Sequence, residues 1–175
     1  DTLSAAQAII ELSLILIANQ DPISGYLSTT LLHLKRLEIL SKDNSSDPTR
    51  ILATCVQSFI HLLALGGYGL PIQTCCITGI NLEPPIGDWE WKCTLIPDQG
   101  FAIGKIQEGI IQLNPSELAL LQRLVRPNLP QSSNGKLMGP KEVWIKFLNI
   151  LEYWINNHLS KKIKSLSFLK EHELP

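Results

Sequence analysis

The segment 66–71, with the sequence GGYGLP, constrains the fold most, because three glycines and a proline within six residues end any helix. Before it, apolar residues recur at helical spacing. After it, from Trp89 to Leu95, apolar and polar residues alternate with a period of two, which is typical of a β-strand. The sequence therefore predicts a helical part followed by a short β part.

Helix boundaries are marked by capping signals on both sides of the β part. Asp21-Pro22 and Asp47-Pro48 each place a capping aspartate before a proline at the first helical position, and Asn114-Pro115-Ser116-Glu117 adds a capping box. These signals and the apolar spacing predict helices over residues 2–18, 23–41, 49–65, 114–126 and 141–158. The basic, amphipathic tail at 161–170 predicts a short additional helix.

Length and composition favour one domain over residues 1–175, since a chain of 175 residues with 45% hydrophobic and 18% charged residues suits a single core. We predict a mainly α fold of five or six helices with a β insert at 70–113. The apolar stretch 5–18 has no preceding Lys or Arg and is interrupted by polar residues. It therefore predicts a buried helix rather than a signal peptide or a membrane span.

The charge pattern excludes a large, uniformly basic nucleic-acid surface, because 15 Lys and Arg are balanced by 16 Asp and Glu. A local basic patch stays open. The lysines of the tail are Lys161, Lys162, Lys164 and Lys170. They are interpreted either as a solvated helix face or as a site for an anion, namely a phosphate backbone or an acidic peptide whose apolar residues rest beside Leu166 and Phe168.

Candidate chemical groups do not form a recognisable catalytic or metal-binding motif. The cysteines include the adjacent pair Cys75 and Cys76, which is unsuited to a disulfide, and they lack the Cys-x2-Cys pairs of a structural zinc site. We therefore expect a cytoplasmic protein without a zinc ion. His61, among apolar neighbours, is predicted to be a hydrogen-bonded core histidine rather than a catalytic one. The acidic residues of the β part are predicted to form a solvated rim: Glu83, Asp88, Glu90 and Asp98.

The order of these parts resembles the C-terminal portion of RecO, a family of bacterial recombination mediators. The third helix ends in LLALGGYGLP and leads into QTCCITG at 73–79, which is similar to the family's leucine run, glycine-aromatic turn and cysteine knuckle. Residues 91–104 resemble its short β segment with a glycine turn. The closing residues KSLSFL at 164–169 resemble its terminal motif.

Two departures from the family pattern bear on cofactors. Thr78 stands where the family's second cysteine would be, and the second cysteine pair is absent. The β insert thus resembles a degenerate zinc-ribbon-like element, with Cys75 as the remnant of its metal motif, and no cofactor is expected. Without the metal, the resemblance implies that the insert is held together by its own packing, including Trp89 and Trp91. The family's N-terminal OB-fold is also absent. We expect the chain, which begins at Asp1, to be a piece of a longer protein.

The resemblance implies a non-enzymatic role in DNA repair and recombination. The whole protein would anneal single strands and assist RecA loading onto DNA coated by single-strand binding protein, with RecR as a partner. Single-stranded DNA would bind mainly through the missing N-terminal domain, and no membrane would be involved. Lys161, Lys162 and Lys164 are the candidate rim for the acidic C-terminal tail of single-strand binding protein.

Two other functions stay open from the residues alone. One is a helical regulatory or protein-interaction domain unrelated to DNA. The other is a small hydrolase or transferase with its site in the β insert, using His61 or the acidic rim.

Overall fold

The computed structural model describes residues 1–18, 24–43 and 47–171. Within them the chain forms six helices and a three-stranded sheet, which confirms the mainly α fold with a small β insert. The elements in chain order are α1 (Thr2–Ile17), α2 (Tyr26–Lys42), α3 (Pro48–Leu65), β1 (Cys93–Ile96), β2 (Gly100–Ile103), β3 (Ile111–Leu113), α4 (Pro115–Arg123), α5 (Lys141–Leu159) and α6 (Ser165–Glu171).

Helix α3 forms the centre of the core and packs against α1, α2 and α5. Twelve of its side chains are buried on several faces, including the fully buried Phe59. By length and composition alone α3 would suit a membrane span, yet 67% of it is buried inside the protein. This burial is what a central core helix requires, since a helix apolar on several sides must be covered on each of them.

The predicted ends of α3 are confirmed. The Asp47 side chain accepts a hydrogen bond from the backbone N–H of Thr49 at 2.9 Å, and Pro48 occupies the first turn. At the other end Gly67 has a φ of +82°, which lets the backbone N–H of Tyr68 reach the carbonyl oxygen of Leu63 at 2.8 Å. The glycine segment is therefore a helix C-cap followed by a turn, and it ends α3 as the sequence predicts.

The β insert is a three-stranded antiparallel sheet in the order β2-β1-β3. Cys93 of the central strand pairs with Ile103 of β2 and with Leu113 of β3. Gly100 closes the turn between β1 and β2 with a φ of +120°, and a Cβ there would lie 2.6 Å from the Pro71 side chain. The turn therefore requires glycine both for its backbone angle and for its close approach to the segment that follows α3.

The predicted strand from Trp89 is wrong at its beginning, because β1 starts only at Cys93. The Asp88 side chain accepts hydrogen bonds from the backbone N–H groups of Glu90 and Trp91, and this turn bends the chain ahead of the strand. Trp89 is 76% exposed and Trp91 is half-buried. Trp89 therefore does not hold the insert together as expected.

Two helix boundaries also differ from the predictions. Helix α2 begins at Tyr26 with Gly25 as its N-cap, and the predicted cap Asp21-Pro22 lies outside the described residues. Helix α4 has the predicted capping box between Asn114 and Glu117, but it ends at Arg123. The segment up to Pro127 is turn rather than helix.

The last two helices close the fold against the first. Helix α5 buries the predicted apolar face, including Trp144 and Phe147, whose rings meet edge to face at 5.7 Å. Helix α6 confirms the predicted short tail helix and packs against α1. Its buried anchors are Leu166 and Leu169, and Ile163, two residues before the helix, is buried as well. The basic tail is thereby joined to the N-terminal helix.

Candidate partner-binding groove

A groove of about 600 Å³ lies between the second half of α1 and the end of α5. We call it the lysine groove. Its apolar lining comes from α1 and α5, and its polar lining comes from both helices and from the turns that follow α3 and α5. The lining residues are Glu11, Leu14, Ile15, Leu16, Ala18, Tyr68, His158, Leu159, Lys161 and Lys162.

The end of α5 shapes one wall of the groove. The Trp154 indole donates a hydrogen bond to the carbonyl oxygen of Tyr68 at 2.8 Å, and the His158 ring stacks on Trp154 with a centroid distance of 3.7 Å. Ser160 then ends the helix in a left-handed conformation with a φ of +49°. The chain changes direction at this residue, so that Lys161 and Lys162 line the groove instead of continuing along the axis of α5.

Glu11 of α1 fixes the tail beside the groove. Its two carboxylate oxygens accept hydrogen bonds from the backbone N–H groups of Lys164 and Ser165 and from the Ser165 hydroxyl, at 2.9–3.0 Å. Burial raises the pKa of the Glu11 carboxyl, but these hydrogen bonds and the charge of Lys164 outweigh it, and the pKa is lowered. Glu11 therefore stays ionised at neutral pH and holds the first turn of α6 against α1.

The candidate lysines do not share one position. Lys161 and Lys162 line the groove, whereas Lys164 lies beside Glu11 and outside the lining. Of the two apolar residues expected to receive a peptide, Leu166 is fully buried in the core. It cannot receive a peptide, because its side chain already packs inside the protein, and that part of the prediction is wrong. Phe168 is 53% exposed.

The remaining tail lysine has an internal partner. Lys170 donates to a carboxylate oxygen of Glu152 on α5 at 2.5 Å. This ion pair ties α6 to α5 and compensates the Lys170 charge. The two lysines that line the groove are thus the part of the basic tail best placed to meet an anionic ligand there.

The residues of the zinc-motif remnant do not fit a zinc ion. Cys75 and Thr78 lie in a tight loop closed by a hydrogen bond from the Gly79 N–H to the Cys75 carbonyl oxygen at 2.9 Å. Burial raises the pKa of the Cys75 thiol, but hydrogen bonds from Thr78, Ile77 and Ile103 outweigh it and lower the pKa to about 7. The loop therefore offers one sulfur, that of Cys75, and this sulfur is already engaged by hydrogen bonds. A structural zinc site needs four ligands.

The described residues contain no group of three or more His, Cys, Asp or Glu side chains that could hold a metal ion. His61 has the predicted hydrogen-bonded role, since its Nε2–H donates to the Leu124 carbonyl oxygen at 2.8 Å and its Nδ1 meets Nε2 of His33 at 3.0 Å. Both of its nitrogens are thus engaged inside the fold. The four acidic residues predicted to form a solvated rim are exposed: Glu83, Asp88, Glu90 and Asp98.

Comparison with known proteins shows the family of this fold. The family model described as "Recombination protein O C terminal" matches residues 1–167. The chain belongs to this RecO C-terminal family. The match covers the helical core, the β insert and the first residues of α6, and with them the lysine groove.

Curated relatives carry the same name at high identity. The "DNA repair protein RecO" of Prochlorococcus marinus strain MIT 9303 is 56% identical over 171 residues, which cover 98% of this chain and 64% of the relative. That of Synechococcus sp. strain WH7803 is 51% identical over 98% of this chain and 63% of the relative. A more distant one, from Trichodesmium erythraeum strain IMS101, is 25% identical over 95% of this chain and 64% of the relative.

The chain spans just under two thirds of the length of these relatives. No solved structure matches it. Within the RecO C-terminal domain, sequence reasoning missed Glu11 and His158 as parts of the groove. No local signal could have indicated them, because Glu11 meets its partners 153 and 154 positions away in the chain.

Proposed function

We propose that this chain is the scaffold and protein-docking part of a recombination mediator that anneals single strands and assists RecA loading onto DNA coated by single-strand binding protein. The observation that carries the proposal is the match of the RecO C-terminal family model to residues 1–167. The relatives named DNA repair protein RecO support it, because they align with 98% of the chain. The protein acts by binding rather than by catalysis, in the cytoplasm.

The lysine groove is the docking site for the acidic, aromatic-ended tail of single-strand binding protein. Such a tail needs cations for its carboxylates and an apolar wall for its ring. Lys161 and Lys162 supply the cations, and Leu14, Ile15 and Leu159 supply the wall. Lys164 adds positive charge beside the groove. Because the Glu11 carboxylate is engaged by three hydrogen bonds, its oxygens are turned to α6 rather than to the ligand.

RecR is the second protein partner, and single-stranded DNA binds mainly through the remaining third of the whole protein. In this arrangement the chain brings the mediator to coated DNA, while the DNA chemistry is carried largely elsewhere. The chain has a net charge of −1 at pH 7. This near balance suits a protein-docking role better than the role of a DNA-binding domain, which usually carries an excess of positive charge.

The proposal is tested by titrating a tail peptide, acidic and ending in Phe, against the wild-type chain and the Lys161→Ala/Lys162→Ala/Lys164→Ala variant. We expect the variant to lose about tenfold or more in affinity, since charge-assisted contacts are each worth about 1.5–3 kcal/mol. The control is Lys35→Ala/Lys92→Ala/Lys105→Ala, which removes the same charge away from the groove. Unchanged affinity in the first variant, or an equal loss in both, removes this assignment.

A further inference from the structure

All four arginines of the chain line two adjoining grooves. Arg36 and Arg50 line a groove of about 370 Å³ between α2, α3 and the segment 127–131. Arg123 and Arg126 line a second groove, of about 360 Å³, formed by the end of α4 and the same segment. Both grooves share three residues of this segment, so they lie side by side. We call the two together the arginine surface.

Two of these arginines are held in place by neutral acceptors. Arg36 donates to the Gln57 side-chain oxygen at 3.2 Å and to the Pro127 carbonyl oxygen at 2.8 Å. Arg50 donates to the Gly135 carbonyl oxygen at 2.7 Å. A carbonyl or amide oxygen orients a guanidinium without neutralising it, and each of these side chains keeps further N–H donors. Their positions are therefore fixed while their charge is retained.

The charged side chains that line the arginine surface are all positive. No Asp or Glu lines either groove, and among residues 1–18, 24–43 and 47–171 the ion pairs are formed by lysines rather than arginines. Asn128 and Gln131, shared by the two grooves, add neutral side-chain donors. A chain with a net charge of −1 thus concentrates its arginines around one short segment.

Several guanidinium groups held in fixed positions suit a ligand with several anionic groups at regular intervals along its length. Arg binds phosphate oxygens through two parallel N–H donors, and neutral amides commonly add contacts to the same backbone. A nucleic-acid strand presents one phosphate per nucleotide and can cross both grooves. The first groove also has apolar residues that a peptide's aromatic ring could contact, namely Ile39, Leu40 and Leu129. The second groove adds two more arginines but only Leu129 and two prolines as apolar lining, so a single carboxylate with one ring would leave half of the arginines unused, whereas an extended anion would meet all four.

We propose that the arginine surface binds the phosphodiester backbone of single-stranded DNA. This goes beyond the docking function proposed above, because it gives the RecO C-terminal domain a DNA contact of its own. The strand would cross the segment 127–131, with Arg36 and Arg50 holding phosphates on one side and Arg123 and Arg126 on the other. Binding would be independent of base sequence and strongly dependent on salt.

The test is fluorescence anisotropy of the chain with a labelled oligothymidylate of about 20 nucleotides over a range of salt concentrations. The variant is Arg50→Gln/Arg126→Gln, which removes one arginine from each groove. Arg36 is left in place because it makes two long-range hydrogen bonds, to Gln57 and to Pro127, whereas Arg50 makes one, to Gly135. We expect this variant to bind the oligonucleotide at least about tenfold more weakly than the wild type does. The slope of log affinity against log salt should fall by about 1.4, since each lost contact to a single strand removes about 0.7.

Two controls separate the site from general charge and from misfolding. Lys92→Gln/Lys105→Gln removes two charges near the β insert and should change affinity by no more than about twofold. Arg50→Lys/Arg126→Lys keeps the charge and should recover part of the binding and of the salt slope. Circular dichroism of each variant checks that the helices are retained.

The proposal is overturned if the wild-type chain does not bind the oligonucleotide, if Arg50→Gln/Arg126→Gln leaves affinity unchanged, or if the lysine control loses as much. It is also overturned if an acidic peptide ending in Phe binds through these arginines and displaces the oligonucleotide. In that case the arginine surface is a peptide site. A failure of this kind leaves the lysine-groove titration unaffected, since that experiment uses different residues and contains no DNA.

Discussion

The buried pair formed by His33 and His61 predicts a loss of stability on mild acidification. His33 is fully buried, and burial, together with the charges of His61 and Arg36, lowers its pKa to about 3. Its Nδ1 has no hydrogen-bond partner among the described residues. The pKa of His61 is lowered too, chiefly by burial. Both rings are therefore held neutral in the folded chain at pH values where histidine in an unfolded chain takes up a proton.

The sign and size of the effect follow from linkage. Because the folded pKa of His33 is depressed, the unfolded state binds more protons than the native state between about pH 6.5 and about pH 3, and stability falls as the pH falls through this window. At pH 5.0 an unfolded-state pKa of about 6.5 gives a loss of about 2 kcal/mol for His33. At pH 7.5 its contribution is close to zero. His61 acts in the same direction.

The assay is urea unfolding followed by circular dichroism at pH 7.5 and pH 5.0. His33→Gln keeps a side-chain N–H near His61 but cannot take up a proton, so about 2 kcal/mol of the acid-induced loss should disappear. Glu and Asp titrations are common to both proteins and cancel in the comparison. If His33→Gln loses as much free energy of unfolding on acidification as the wild type, the buried pair is not its source.

Two further predictions concern the zinc-motif remnant, Cys75 and Thr78, and the capping box at the start of α4. In a Cys76→Ser background, Thr78→Val should raise the pKa of Cys75 above about 7, because a hydrogen-bond donor to the thiolate is lost. The measurement is an ultraviolet titration of the thiolate, and an unchanged midpoint would contradict this prediction. Asn114→Ala should lower the free energy of unfolding by about 1 kcal/mol by removing the α4 capping box, with the exposed Ser116→Ala as a near-neutral control. Equal effects of these two substitutions in chemical denaturation would show that the cap does not stabilise α4.

The helical part of the fold was largely predictable from local chemistry. Asp47-Pro48 and Asn114-Pro115 are capping signals whose partners lie within three residues, so sequence alone contains the whole interaction. The β insert was harder. The alternation after Trp89 is compatible with a strand, but the side chain of Asp88 bends the backbone first, and within β1 Thr94 is as buried as its apolar neighbours. A period of two does not reveal a strand covered on both faces.

The binding surfaces were only partly predictable. The basic tail marked Lys161 and Lys162, because clustered charge is visible in sequence. Glu11, which fixes that tail, and the four arginines gave no local signal, since their positions converge only through the packing of α1 with α6 and of α2 and α3 with the segment after α4. Long-range contacts of this kind are set by the tertiary fold rather than by any short motif.

The most direct test of the central claim, that this domain docks the mediator onto coated DNA, compares strand annealing by the whole protein with bare and with coated strands. We predict that Lys161→Ala/Lys162→Ala slows annealing of strands coated by single-strand binding protein but leaves annealing of bare strands unchanged. Equal rates for variant and wild type on coated strands, or an equal loss on both kinds of strand, would contradict the account.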